Sequence, residues 1–139
     1  MNPLYGVQPG DKLKTVTLPA VTRLDLIKYA GASGDYNPIH TIDEEAEKAG
    51  LPGVIAHGMW TMGSLAKLFT PFYEDGFIQD YSIRFQGMVY VGDVLTLHAD
   101  VVSHEESMIT FDVYARNQQE KDVIRGNVVF RKHLETSAT

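Results

Sequence analysis

The fold is decided by residues 59–69, which read Met59-Trp60-Thr61-Met62-Gly63-Ser64-Leu65-Ala66-Lys67-Leu68-Phe69. Apolar side chains cover most of the circumference of a helix built from this segment. Only Ser64 and Lys67 are clearly polar. A helix that is apolar on most sides is a buried helix. The segment therefore predicts one long buried helix, which we expect to end before Pro71.

Two glycines lie in or beside this helix, Gly58 at its start and Gly63 in its interior. Glycine inside a helix costs roughly 1 kcal/mol relative to alanine. We therefore expect the close approach of another backbone or of a ligand at these positions. The nearby aromatic residues are expected to lie mainly in the core, with part of them lining an acyl tunnel. They are Trp60, Phe69, Phe72, Tyr73 and Phe77.

Beyond the helix, the sequence alternates between apolar and polar residues, which is typical of strands with one buried face. Strands are predicted at residues 77–91, with a bend near Gly87, and at residues 94–103, 108–116 and 123–131. Short polar turns between the last three favour an antiparallel meander with one face in water. The other face must pack against another element, and the 59–69 helix is the one long buried helix that the sequence predicts. The pattern predicts an α+β hot-dog fold, an antiparallel sheet wrapped around one central helix.

The N-terminal part predicts smaller elements. Residues 11–18 alternate like an edge or partly exposed strand. Thr22 followed by Asp25 is the pattern of a capping box and predicts the start of a short helix that runs out at residues 31–34. A second short helix is predicted at residues 43–49, with Gly50 just past its end.

Composition bounds the function. The chain has 139 residues, 44% hydrophobic and 22% charged, which suits one domain spanning residues 1–139. The absence of cysteine excludes disulfides and thiolate chemistry. A formal charge of −6 argues against nucleic acid as a partner. No apolar run is long enough to span a bilayer and no signal-peptide pattern is present, so we expect no membrane partner and a cytoplasmic location.

Chemistry is suggested by residues 33–40, Ser33-Gly34-Asp35-Tyr36-Asn37-Pro38-Ile39-His40. Gly34 weakens a helix and Pro38 lacks an amide proton, so Asp35 and His40 are expected on a bent loop. A carboxyl group and an imidazole that converge in a cleft are suited to adding or removing water. The spacing alone is equally compatible with a polar turn.

Residues 29–40 and 56–63, with residues 82–85, resemble the MaoC-like family of hot-dog proteins. That family contains (R)-specific enoyl-CoA hydratases and (3R)-hydroxyacyl-thioester dehydratases. The resemblance implies a hydro-lyase acting in fatty-acid metabolism on acyl-CoA or acyl-carrier-protein thioesters, with no cofactor. One sheet around one helix also leaves apolar area and a strand edge uncovered, so we expect a dimer with a second copy or a homologous hot-dog subunit; the alternative is a monomer whose edge is protected by Lys12 and Lys14.

The resemblance implies that Asp35 exchanges a proton with the water or 3-hydroxyl and that His40 exchanges the α-proton. It also implies that the Gly58 amide binds the thioester carbonyl. A helix start suits that last role because its amides are free and its dipole end is positive. Asn37 and His57 are expected beside the substrate. Asn37 would hold the loop through bonds to backbone, and His57 would either cap the helix or line the site, with capping preferred.

Three alternatives stay open. Asp35, His40 and His57 would also form a two-histidine, one-carboxylate metal set, although proton transfer at a thioester needs no metal. A hot-dog thioesterase would need a carboxylate on the 59–69 helix, which has none. The chain would otherwise be one subunit of a heterodimer that needs its partner to bind substrate. A serine that helps some family members bind substrate falls here on Ala66, with Ser64 two residues earlier.

Overall fold

The computed structural model describes residues 3–133, and five antiparallel strands form its sheet. The strands are β1 (Val16–Thr17), β2 (Gly76–Phe85), β3 (Thr96–Glu105), β4 (Met108–Arg116) and β5 (Asp122–Lys132). Their order across the sheet is β1–β3–β4–β5–β2. The α-helices are α1 (Arg23–Ser33), α2 (Asp43–Lys48) and α3 (Gly58–Leu65), and 3-10 helices span Pro3–Tyr5, Pro38–His40 and Ala66–Phe72.

The predicted alternation of β3, β4 and β5 is confirmed. Their inward side chains are at most 3% exposed, and they are Leu97, Ala99, Val101, Ile109, Phe111, Val113, Ile124, Val128 and Phe130. Because the strands pair antiparallel in register, these residues form one continuous apolar face. Apart from Val129, the outward side chains between them are polar or charged. The sheet therefore has one dry face and one face in water.

The dry face is covered by α3 and the 3-10 helix that continues it. Phe69 is fully buried, with its ring centroid 5.1 Å from Phe111 and 6.1 Å from Phe130. The Tyr81 hydroxyl on β2 donates to the Met62 carbonyl at 2.6 Å, and burial raises the pKa of this tyrosine. Sheet and helix together form the predicted hot-dog fold.

The central helix differs from its prediction in two ways. It is α-helical only from Gly58 to Leu65 and continues as a 3-10 helix through Pro71, so it does not end before that proline. A proline inside an α-helix removes a hydrogen bond and clashes with the preceding turn, and here the helix has changed type five residues before Pro71. The helix is covered on most sides, but its exposed stripe includes the apolar Met59, which is 58% exposed, whereas Thr61 and Ser64 are buried.

The aromatic residues are also less buried than predicted. Phe69 lies in the core and Trp60 and Phe72 are partly buried, but Tyr73 and Phe77 are 47% and 46% exposed. Tyr73 follows the 3-10 helix, and Phe77 lies on β2, an end strand of the sheet. Because the sheet ends there, the described chain offers no further element to cover them.

The predicted strand at residues 11–18 is regular only at Val16–Thr17, with an isolated bridge from Lys12 to Asp100. The predicted strand at residues 77–91 stops at Phe85. The amides of Gln86 and Gly87 then both donate to the Val123 carbonyl, at 2.9 and 3.1 Å, where the chain bends.

The short helices follow their predicted signals. The Thr22–Asp25 capping box is present, and α1 ends at Gly34 with φ +76°. The second helix ends at Lys48, and Gly50 follows with φ +86°. These positive values need glycine or a strained residue. Within residues 3–133, no helix has the length and apolar character that crossing a membrane requires.

Candidate active site

The loop after α1 turns Asp35 and His40 toward each other. The Asn37 side-chain oxygen accepts from the Ile39 amide at 3.2 Å and caps the 3-10 helix Pro38–His40. The Asp35 Oδ1 atom accepts from the Asn37 amide at 3.2 Å. Asn37 therefore shapes the loop through a bond to backbone, in the way the sequence predicted.

The Asp35 carboxylate and the His40 imidazole face each other across 3.8 Å, measured from Oδ2 to Nε2. His40 is 7% exposed, whereas the Asp35 side chain is 50% exposed. A single oxygen placed about 2.8 Å from each atom would bridge the gap with ordinary hydrogen bonds. The pair is therefore spaced to hold a water molecule or a substrate hydroxyl.

The tautomer of neutral His40 is fixed by its other nitrogen. Nδ1 lies 2.7 Å from the Ile55 carbonyl oxygen. Because a carbonyl can only accept, Nδ1 carries the proton in this bond. The Nε2 atom of the neutral ring then presents a lone pair toward Asp35, which is the arrangement of a base ready to take a proton.

His57 packs directly behind this pair. Its ring stacks on the His40 ring with centroids 3.8 Å apart and planes at 21°, and it forms an edge-to-face pair with Tyr29 at a centroid distance of 4.8 Å. Its Nε2 atom lies 3.1 Å from the backbone oxygen of Asp35. The residue stands at the N-cap position of α3, but its side chain makes no capping bond. The prediction that His57 caps the helix is wrong, because its donor is directed to the Asp35 loop instead.

Gly58 opens α3 beside the pair and lines a cavity of about 170 Å³. Other residues around this cavity are His40, Ile55, Thr61, Phe85 and Met88. A Cβ atom on Gly58 would lie 2.8 Å from the Phe85 ring. The glycine therefore lets the start of the helix approach the end of β2 closely.

Residues 6–123 match the model of a protein family described as the MaoC-like domain. The chain belongs to this family. The match extends from the N-terminal segment into β5, so it includes residues 33–40, α3 and the residues that line the cavity.

The MaoC-like chain is 35% identical over 118 residues to the fatty acid synthase subunit beta of Aspergillus oryzae, covering 81% of this chain and 6% of that protein. It is 38% identical over 65 residues to the 3-hydroxyacyl-thioester dehydratase X of Mycobacterium tuberculosis, covering 47% of this chain and 22% of that protein. The chain thus spans a small part of these relatives. Its fold is similar to that of the R-hydratase PhaJ1 from Pseudomonas aeruginosa, with a TM-score of 0.83, 24% identity, and coverage of 94% of this chain and 84% of the other.

The structure brings Asp35, His40, His57 and Gly58 of this MaoC-like domain together. Asn37 is beside them, with its side-chain oxygen engaged by the Ile39 amide. Ala66 and Ser64 do not line the cavity, and Ser64 is buried. The predicted set thus divides into residues that face the gap and residues that shape it.

The cavity wall formed by Phe85 and Met88 was not predicted. Both side chains are more than half exposed. They lie on either side of Gly87, near which the sequence predicted a bend in a strand running to residue 91, whereas the strand itself stops at Phe85. The break at Gly87 was the available signal, because a chain that leaves a sheet can direct side chains into a site.

A metal fits this site poorly. Asp35, His40 and His57 offer ligand atoms within 4.8 Å of one another. The two imidazoles, however, are stacked at 21°, and the lone pairs of a histidine lie in its ring plane. Nearly parallel planes do not direct two lone pairs to one point. Each ring also already uses one nitrogen on a backbone carbonyl.

Proposed function

We propose that this chain catalyses the reversible, (R)-specific hydration of trans-2-enoyl thioesters, and the reverse dehydration of (3R)-hydroxyacyl thioesters. The observation that carries the proposal is the 3.8 Å gap between Asp35 Oδ2 and His40 Nε2, beside a cavity lined by the first residue of α3. Membership of the MaoC-like family supports it, as does the name of the mycobacterial dehydratase.

In the dehydration direction, neutral His40 takes the proton from the α-carbon with its Nε2 lone pair. Protonated Asp35 gives its proton to the 3-hydroxyl, which leaves as water while the double bond forms between the α- and β-carbons. In the hydration direction, ionised Asp35 takes a proton from water as the oxygen attacks the β-carbon. Protonated His40 then returns a proton to the α-carbon. Each positioned acid or base typically contributes about 10²–10⁴ in rate.

The thioester oxygen gains negative charge when the α-proton is removed, and a hydrogen-bond donor is needed to stabilise that charge. The Gly58 amide is the proposed donor because it stands at the positive end of the α3 dipole and at the cavity wall. The cavity of about 170 Å³ has the volume of roughly five or six water-sized groups. That volume suits a short acyl segment near the reacting carbons.

The test follows the loss of crotonyl-CoA absorbance with the purified chain. Asp35→Asn and His40→Gln should each lower turnover by about 10²-fold or more. Both variants should keep the melting temperature within a few degrees, since neither residue belongs to the apolar core. His133→Gln is the matched control, because it removes an imidazole outside the site.

Near-normal turnover in either site variant would remove that residue from the proposed pair. The assay should also measure free coenzyme A. Release of free thiol without addition of water to the double bond would identify a thioesterase instead. Replacing crotonyl-CoA with the crotonyl thioester of an acyl-carrier protein would then compare the two carriers.

We also propose that the chain forms a dimer, either with a second copy or with a homologous hot-dog subunit. In the described residues, β2 lies at the end of the sheet with no strand on its outer side. It is ten residues long and exposes Phe77 and Phe85. A long edge with exposed apolar side chains invites pairing. Gly63 of α3 is exposed with no atom within 4 Å of an added Cβ, so its expected close neighbour would come from the partner.

A further inference from the structure

We propose that His57 is a positioning residue for this reaction, holding the Asp35 loop by a hydrogen bond and the His40 ring by stacking. The inference rests on the proposed function, which does not itself need His57. It differs from the two roles that the sequence suggested for this histidine, helix cap and substrate contact. Three observations on its ring carry it.

The first observation is the bond from Nε2 to the Asp35 backbone oxygen, 3.1 Å long and spanning 22 residues of sequence. Since the carbonyl only accepts, His57 donates from Nε2. The other hydrogen bonds of Asp35 within the described chain are local, from its amide to Ser33 Oγ and from the Asn37 amide to its carboxylate. The bond to His57 therefore ties the catalytic loop to the start of α3.

The second observation is the stack on His40. The two rings lie 3.8 Å apart, and Tyr29 forms an edge-to-face pair with the His57 ring. His40 is held in its own plane by the bond to Ile55. Contact with the His57 face limits movement out of that plane. One side chain therefore sets the position of both members of the acid/base pair.

The third observation concerns Nδ1, the remaining polar atom of His57. The residue is 1% exposed, and Nδ1 is buried without a hydrogen-bond partner in the described chain. A capping histidine would accept a backbone amide there, and a ligand contact would need that nitrogen to be exposed. An unsatisfied buried nitrogen is a cost that calls for a compensating role. Holding Asp35 and His40 supplies one.

The test compares two amides that differ in reach. In His57→Gln, the side-chain nitrogen reaches about as far as Nε2 and can still donate to the Asp35 oxygen. In His57→Asn the side chain is too short for its nitrogen to reach that oxygen. The Gln variant keeps the hydrogen bond but loses the ring stack, so kcat should fall by no more than about tenfold, whereas the Asn variant loses both and should fall on the order of 10²-fold, the effect of misplacing a reacting group by about 1 Å. KM for crotonyl-CoA should change less than threefold in both.

A second arm places the same changes in an Asp35→Asn background. If His57 acts through Asp35, Gln and Asn at position 57 should there give the same residual turnover. Equal losses in the wild-type background, additive losses in the Asp35→Asn background, or a rise in KM at constant kcat would each overturn the inference.

A readout independent of turnover keeps the proposal testable if a variant unfolds or if crotonyl-CoA is not a substrate. Nitrogen-15 spectra of histidine-labelled protein should show that His57 carries its proton on Nε2 and none on Nδ1. The opposite tautomer would overturn the inference, whatever the activity. The proposed function fails separately, through a folded wild-type chain that shows the expected tautomer but no hydration of any enoyl thioester.

Discussion

Gly58 offers the sharpest test of how the site is built, because the structure gives it two different reasons to be glycine. It opens α3 at the cavity wall, where an amide donor is proposed, and it also contacts Phe85. A Cβ atom at this position would lie 2.8, 2.9 and 3.2 Å from three carbons of that ring. Gly58→Val therefore perturbs the proposed donor and the packing together, and a second substitution is needed to separate them.

The packing cost is moderate. Overpacking typically costs about 1–3 kcal/mol, and the low end applies because the Phe85 ring is 54% exposed and is free to swing outward. One kcal/mol corresponds to roughly 3–5 °C in melting temperature for a chain of this size. Obstructing an oxyanion donor costs about 10²–10³ in rate. We expect Gly58→Val to melt a few degrees lower and to lose at least 10²-fold in turnover.

Phe85→Ala removes the atoms that the new side chain would meet. Adding it to Gly58→Val should return the melting temperature to that of Phe85→Ala alone, while turnover should stay low. Melting and crotonyl-CoA turnover are measured on the same preparations. Gly31→Ala on α1 is the control, since an added Cβ there meets nothing within 4 Å and no partner contact is proposed for it. Recovery of turnover in the double variant to the level of Phe85→Ala would show that Gly58 serves packing alone.

Two further predictions concern the assembly and its response to pH. The purified chain should sediment at twice its mass of 15.5 kDa at tens of micromolar, and a single-chain mass would count against self-association and favour an obligate heterodimer. Burial and then the nearby Arg116 charge lower the pKa of His98, so the unfolded chain binds more protons as pH falls through about 6.5 and the free energy of unfolding decreases. His98→Gln should show a smaller drop in melting temperature between about pH 7.5 and pH 5.5 than the wild type, and equal drops would refute this assignment.

The features that the sequence predicted well are those with local physical causes. The capping box needs only Thr22 and Asp25, and both of its bonds form within one turn. The cap from Asn37 reaches two residues along the chain. The alternation of β3 to β5 needs only the period of two that a strand imposes. None of these depends on knowing what lies across the fold.

The errors arise where a tertiary contact decides the outcome. Residues 59–69 are covered on most sides, as their apolar pattern indicated, yet the exposed stripe includes the apolar Met59, while Thr61 and Ser64 are covered. An apolar pattern in a sequence shows which side chains are buried in the functional assembly. It does not show whether the sheet of the same chain or a partner chain buries them. If the proposed dimer forms, Met59 is a candidate for that second kind of surface.

For His57, the sequence predicted the position correctly, beside the site, but predicted the wrong hydrogen-bonding role. Its location before α3 suggested a cap, because helix starts need acceptors. Its donor instead meets a backbone carbonyl 22 residues earlier. A bond from a side chain to a main-chain oxygen leaves no residue type at the other end to reveal it, so no sequence pattern identifies this contact.

The separate roles of residues 33–40 follow from which of their polar atoms already have hydrogen-bond partners within the chain. The Asn37 oxygen, the Asp35 carbonyl and His40 Nδ1 are all engaged by other parts of the chain. Pro38 contributes a fixed φ to the turn and has no donor to satisfy. What remains directed at the gap is one carboxylate oxygen and one imidazole nitrogen, 3.8 Å apart. Most of the motif therefore serves geometry, and the proposed chemistry is left to the two groups whose separation that geometry sets.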